Sequence, residues 1–313
     1  LTPASNMKLL TSFAAFKQLG PDYKFTTRAG LCGNKLVIIG GGDPLLGLDG
    51  RDFVSQITDA VKTRNITQLD GIIVDSSIFD DVPVNENWPK AQLNRSYACE
   101  IAGLNYNGNC VKISAFTKNG QVTLTKEPNT EFLTLLNSVK ASSKENAIGS
   151  NRTDQKNTIV VYGKCAKSAS FDVAIENPSL FMGRLVCESL TKAGVSIANG
   201  PRQEVVNPAD VEVIAVFETP IIEVLHNCNK DSMQIAAECM VKMLAAKTSG
   251  QAGSWQGARI ALGNYLSSLG IDKAEFYIDD GSGLSNVNKL SSNVLVKVLL
   301  DAYQDKNWPL FKE

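Results

Sequence analysis

A single histidine, His226, and no Cys-x-x-Cys pair occur in 313 residues. A zinc site built from clustered imidazole and thiolate ligands therefore has little to draw on. A Ser-His-Asp relay would have to use His226, which sits where an apolar run gives way to Asn227-Cys228-Asn229 and reads as a surface or satisfied side chain. An excess of one charge is also missing. Lys and Arg number 31 against 32 Asp and Glu, net −1, and no basic tract stands out, which argues against a nucleic-acid partner. No apolar run reaches the ~18 residues of a membrane-spanning helix. No leader precedes Leu1-Thr2, and this start reads as trimmed. The glycine run Gly40-Gly41-Gly42-Asp43-Pro44 lacks the Gly-Lys-Ser/Thr ending of a phosphate loop, and Pro44 blocks the helix start such a loop needs. It reads as a structural turn.

What is present is an ordinary globular composition, 43% hydrophobic and 20% charged, long enough for two domains or one domain with an insertion. Of the seven cysteines, Cys99 and Cys110 flank an expected hairpin; they either pair in an oxidising compartment or stay as two buried thiols. Asn151-Arg152-Thr153 fits a glycosylation sequon, which simple surface placement explains equally well.

The chemistry is expected at the first helix, Pro3-Ala4-Ser5-Asn6-Met7-Lys8-Leu9-Leu10-Thr11. Ser5 and Lys8 lie three apart, so both side chains share one helix face. A serine hydroxyl becomes a nucleophile when a neighbouring base takes its proton, and a lysine of depressed pKa can be that base. Pro3 puts Ser5 in the first turn, where free N–H groups and the helix dipole favour an oxyanion. Apolar Leu9, Leu10, Phe13, Ala14 and Phe16 predict a buried helix and a desolvated lysine. A second Ser-x-x-Lys, Ser189 to Lys192, lies in an amphipathic helix, and its serine reads as packed.

Along the chain, Phe25–Arg28, Lys35–Ile39 and Gly71–Asp75 read as strands and Arg51–Arg64 as a helix. Glu100–Asn105, Cys110–Ala115, Gln121–Thr125 and Thr158–Tyr162 also read as strands. Ala141–Asn157 is polar and is expected to be a mobile loop. From Asn177 onward helical patterns dominate: Pro178–Ala193, Pro220–Leu225, Ser232–Ala246, Trp255–Leu269 and Leu290–Tyr303, with a strand at Ala274–Ile278.

Six blocks, in this order, resemble one family. They are the Ser5/Lys8 helix start, Phe25-Thr26-Thr27-Arg28, Gly40–Pro44, Val74-Asp75-Ser76-Ser77-Ile78-Phe79, Trp88-Pro89 and Asp280-Gly281-Ser282-Gly283-Leu284-Ser285. Together they are similar to the class C low-molecular-mass penicillin-binding proteins, the D-alanyl-D-alanine carboxypeptidase/endopeptidases of peptidase family S13. The resemblance implies an α/β (α+β) fold: a penicillin-binding, β-lactamase-like domain formed by 1–24 and 172–313, interrupted by a mostly β insertion at 25–171. It implies a serine carboxypeptidase or endopeptidase acting on peptidoglycan stem peptides, inhibited by β-lactams, in the periplasm or elsewhere in the extracytoplasmic envelope. It implies no cofactor and no metal, allows peripheral association with a membrane, and leaves the oligomeric state open.

By the same resemblance Ser5 is acylated, Lys8 is the base, and Ser232 passes the proton on. Gln234 stands where the family has an asparagine that holds the substrate amide, Gln92 stands near an expected aspartate, and Ser285 is a substrate contact. Asn286 replaces the arginine usual after Ser285, and Lys247-Thr248-Ser249-Gly250 is only a near miss to the family's Lys-Thr-Gly strand. The departures keep a second reading open, a binding or scaffold protein of the same fold with an impaired site.

Overall fold

The structure is a computed structural model describing residues 1–312. Its first helix, α1 (Met7–Leu19), is apolar nearly all round, as a helix enclosed by others must be. Met7, Leu10, Phe13, Ala14 and Ala15 are wholly removed from solvent. Gly20, at φ 93°, ends the helix with its N–H on the Phe16 carbonyl.

The chain then leaves for a sheet. Five strands lie in the order Pro201–Gln203, Gly71–Asp75, Lys35–Ile39, Lys24–Cys32 and Glu212–Pro220. The first three run parallel to one another, and Lys24–Cys32 is antiparallel to both strands beside it. Helices α2 (Phe53–Thr63) and α3 (Pro178–Lys192) cover the sheet. Their N-termini are fixed by Asp52, accepting from Ser55 N, and Asn177, accepting from Leu180 N. Their apolar stripes share a core with Leu36, Ile38, Ile72 and Val74.

Two three-stranded sheets extend this part. Cys110–Lys118 lies between Ser168–Ala174 and Gln121–Glu127, and Thr158–Cys165 lies between Thr134–Ala141 and Ala147–Arg152. The last of these falls inside the stretch expected to be a mobile loop. Its side chains carry little pattern, but its backbone pairs antiparallel with Thr158–Cys165 from Ala147 to Arg152. Conversely, Glu100–Asn105 is not a strand. Asn105 takes the place of a partner strand: its Oδ1 accepts from Ala102 N and its Nδ2 donates to Ala102 O, holding an irregular loop.

At Pro220 the chain returns to the helical body: α4 (Ile221–Asn229), α5 (Gln234–Ser249), α6 (Trp255–Ser268), α7 (Ser292–Gln304) and α8 (Trp308–Lys312). These gather around α1 in a separate core. The return therefore lies later than the expected 171/172 boundary. Glu212–Pro220 pairs residue by residue with Lys24–Cys32, from Lys24 opposite Pro220 to Leu31 opposite Glu212, so α3 belongs to the inserted part. The change of composition at Asn177 marks a helix that covers the inserted sheet, and the re-entry comes about forty residues on.

Cys99 and Cys110 are buried free thiols, as two of seven unpaired cysteines. Ser189 of the second Ser-x-x-Lys packs between helices, its Oγ 2.8 Å from Thr58 Oγ1.

Candidate active site

A one-turn 3-10 segment, Ala4–Asn6, leads into α1 and carries Ser5. Ser5 is exposed, whereas Lys8, one turn on, is 3% exposed. Lys8 Nζ lies 3.4 Å from Ser5 Oγ and donates to the Ser282 carbonyl at 3.0 Å. Burial lowers the proton affinity of this amine below that of an exposed lysine; Cys228, Glu238 and Asp280 pull the other way with smaller effect. Ser232 Oγ lies 3.3 Å from Ser5 Oγ. The three side chains expected to do the chemistry thus converge on one hydroxyl. Ala4, next to Ser5, and Ser232 itself hold backbone conformations that L side chains seldom adopt, at φ 48° and φ 55°. Such strain collects where a side chain must be aimed.

The loop Asp280–Ser285 lines the other side of the lysine. Thr11 Oγ1 donates to the Gly281 carbonyl at 2.7 Å, tying the loop to α1. Asp280 accepts from Trp88 Nε1, Gly283 N, Ser285 N and Asn288 Nδ2. Glu238, on α5, accepts from Gly281 N, Ser282 N and Trp255 Nε1. Burial pushes the Glu238 carboxyl up, and the neighbouring Asp280 adds to the shift. None of these holding roles was foreseen. The signal was an acid, Glu238, inside the apolar run Ile235 to Met243, with Lys242 one turn further on the same helix.

The remaining expected site residues fall in three different places. Gln234 opens α5 and lines a cavity of about 450 Å³ beside Ser232, with Tyr97, Lys112, Glu127, Asp172 and Asp231. Gln92 sits in the 3-10 turn Lys90–Gln92 and is not among the residues lining that cavity. Ser285, expected to touch substrate, is fully buried; its Oγ accepts from Val287 N and its carbonyl from Asn288, so it closes the loop. His226 is exposed near the end of α4. Among the described residues no group of three or more His, Cys, Asp or Glu is arranged to hold a metal ion.

The model of the D-Ala-D-Ala carboxypeptidase 3 (S13) family matches residues 1–311. The chain belongs to this S13 family. Among curated proteins it is similar to the D-alanyl-D-alanine carboxypeptidase of Actinomadura sp. (strain R39), 28% identical over 96% of this chain and 60% of that protein. It is 21% identical to the D-alanyl-D-alanine carboxypeptidase DacB of Haemophilus influenzae, over 95% of this chain and 65% of DacB. The chain thus spans about 60–65% of the length of these two S13 relatives. Penicillin binding protein 4 (dacB) of Haemophilus influenzae superposes with a TM-score of 0.83 at 21% identity, over 100% of this chain and 72% of that one. The same protein complexed with a β-lactam superposes with a TM-score of 0.74, over 99% and 70%. These likenesses show the fold, a mixed α/β penicillin-binding architecture. No described helix is long and apolar enough to cross a membrane.

Proposed function

We propose that the protein is a serine D-Ala-D-Ala carboxypeptidase or endopeptidase acting on peptidoglycan stem peptides, with Ser5 as the acylated nucleophile. The observation that carries this reading is the meeting of Ser5 Oγ with Lys8 Nζ and Ser232 Oγ, at 3.4 Å and 3.3 Å. A neutral amine has two N–H groups and one lone pair. With one N–H given to the Ser282 carbonyl, the lone pair is free to take the Ser5 proton as the oxygen attacks the penultimate D-alanine carbonyl. Free N–H groups at the start of α1, that of Ser5 among them, face the oxyanion that develops. Ser232 relays the proton to the leaving amine, and water then releases the acyl group.

Gln234, two residues beyond Ser232, supplies an amide for the substrate backbone. The cavity it lines receives the peptide side chain, with Glu127, Asp172 and Asp231 suited to an amino group and Lys112 to a carboxylate. A β-lactam presents its strained carbonyl to the same serine and is an inhibitor. Such a substrate places the protein in the extracytoplasmic cell envelope. Gln234 and Gln92 favour the second reading, a scaffold with an impaired site: Gln234 carries its amide one methylene further than the family's asparagine, and Gln92 is uncharged near the place of an aspartate.

The test is covalent labelling by a fluorescent penicillin, read on a gel, with the labelled peptide identified by mass spectrometry. The expected result is one label on Ser5, lost in Ser5→Ala and in Lys8→Ala. An unlabelled wild type would refute the enzyme reading and leave the scaffold.

A further inference from the structure

The Ser5–Lys8 pair rests on a buried acid that touches neither residue. Glu238 is 0% exposed and makes no ion pair among the described residues. Its two oxygens are spent on N–H donors: Gly281 N at 3.0 Å, Ser282 N at 2.7 Å and Trp255 Nε1 at 2.8 Å. The peptide gripped at Ser282 N belongs to the residue whose carbonyl receives Lys8 Nζ. Asp280, 2% exposed, holds the next turn of the same loop through Gly283 N and Ser285 N. Gly281 itself is pressed onto α5: a Cβ there would lie 2.8 Å from both methyls of Val241.

Lys8 is faced by Cys228 from α4, Glu238 from α5 and Asp280 from the loop. Glu238 is in turn faced by Asp280, Lys8, Lys242 and the Cys99, Cys228 and Cys239 thiols. Lys242 is committed elsewhere, to Asp80 at 2.6 Å and to the face of Trp255 at 4.0 Å. The loop that Glu238 holds is thus the one whose Ser282 carbonyl receives the Lys8 amine.

We propose that Glu238 is a positioning residue for Lys8: its two oxygens fix the loop whose Ser282 carbonyl orients the amine. Its carboxylate is also one of the charges, after Cys228 and before Asp280, that oppose the effect of burial on that amine. The proposal rests on the reading of Lys8 as the base for Ser5. Glu238→Gln keeps the size of the side chain but removes the charge and turns an N–H₂ group toward donors. The Lys8 midpoint, followed by NMR of its side-chain carbon and nitrogen, should fall by about one pH unit in this variant. The pH midpoint of penicillin labelling should fall with it, and labelling at the plateau should slow by at least ~10-fold.

Glu238→Asp keeps the charge but retracts the carboxyl by one methylene. It should leave the Lys8 midpoint near the wild-type value and slow labelling by at least ~5-fold. A residue that merely stabilises the fold would lower the labelled fraction and leave both midpoints in place, and that result in Glu238→Gln would overturn the proposal. Should Glu238→Gln fail to fold, wild-type labelling speed in Glu238→Asp would overturn it. The Lys8 titration does not need the protein to react, so an unlabelled wild type would remove the enzyme reading while the titration still decides the electrostatic part.

Discussion

Gly283 is pressed against the backbone of Ala4, the residue before the proposed nucleophile Ser5. Its φ is +81°, a conformation that costs alanine about 1–2 kcal/mol. A Cβ placed there would lie 1.9 Å from the Ala4 carbonyl oxygen and 2.4 Å from its carbon. Reaching ordinary contact requires Ala4 or the loop to retreat by more than about 1 Å. Neither side yields freely. The loop is held by Asp280, which accepts from Gly283 N at 2.8 Å, and Ala4 already sits at φ 48°. Overpacking of this kind adds about 1–3 kcal/mol, so Gly283→Ala should lose roughly 2–5 kcal/mol of stability. Ala4 directly precedes Ser5, and a shift of that size at the attacking atom costs on the order of 100-fold in rate.

The assay is the initial rate of fluorescent penicillin labelling together with a urea melt, set beside Gly33→Ala. Gly33 has φ +57° but nothing near its Cβ direction, so that variant should lose a little stability and label at the wild-type rate. A folded Gly283→Ala that labels within ~3-fold of wild type would show that contact with Ala4 does not set the nucleophile.

Other outcomes are expected from the cores and the thiols. Lys242 has no exposed side-chain surface and pairs with Asp80 at 2.6 Å, so Asp80→Ala should cost about 2–3 kcal/mol by stranding a buried cation. Lys242→Met should cost no more than about 1.5 kcal/mol, and equal urea midpoints for the two variants would contradict this asymmetry. Burial pushes the Asp43 carboxyl up to about 6, against the opposing pull of its bonds from Thr219 and Leu45. An unfolded aspartate titrates near ~3.9, so between these values the folded chain binds more protons, and this group lowers stability as pH rises from about 4 to 6. Asp43→Asn should remove up to about 3 kcal/mol of that fall, measured as the difference between wild-type and variant urea curves at pH 4 and 6.5. Alkylation of the native protein should modify Cys32 and Cys187, which are partly exposed; the other five cysteines are buried and should react only after unfolding.

Much of the site was legible because its parts are local. Ser5 and Lys8 share a turn, whereas Ser232, 227 residues away, was reached only through the resemblance to the family's second motif. What escaped was long-range. Glu212–Pro220 alternates only weakly, with Ile214 and Ala215 half-buried in sequence, and its partner Lys24–Cys32 lies nearly two hundred residues earlier. No periodicity reveals that pairing, and the expected boundary at 171/172 follows the change of composition instead. The burial of Ser285, expected by resemblance to contact substrate, was likewise not visible in the sequence. A hydroxyl in a Gly-Ser-rich loop looks available until Asn288 and Val287 fold back onto it. The strand at Ala147–Arg152 is held by backbone hydrogen bonds, which its side chains do not advertise.

The contacts that arm Ser5 join segments 227 and 274 residues apart in sequence. A ribosome adding about 5–20 residues per second finishes the nucleophile's own helix roughly 15–55 s before the loop that orients its lysine exists. Through that interval the amine has no pocket to lose its water to, and the hydroxyl beside it is an ordinary alcohol. On the proposed reading, the amine gains its pocket, and the hydroxyl its base, only once the chain has been made as far as that loop.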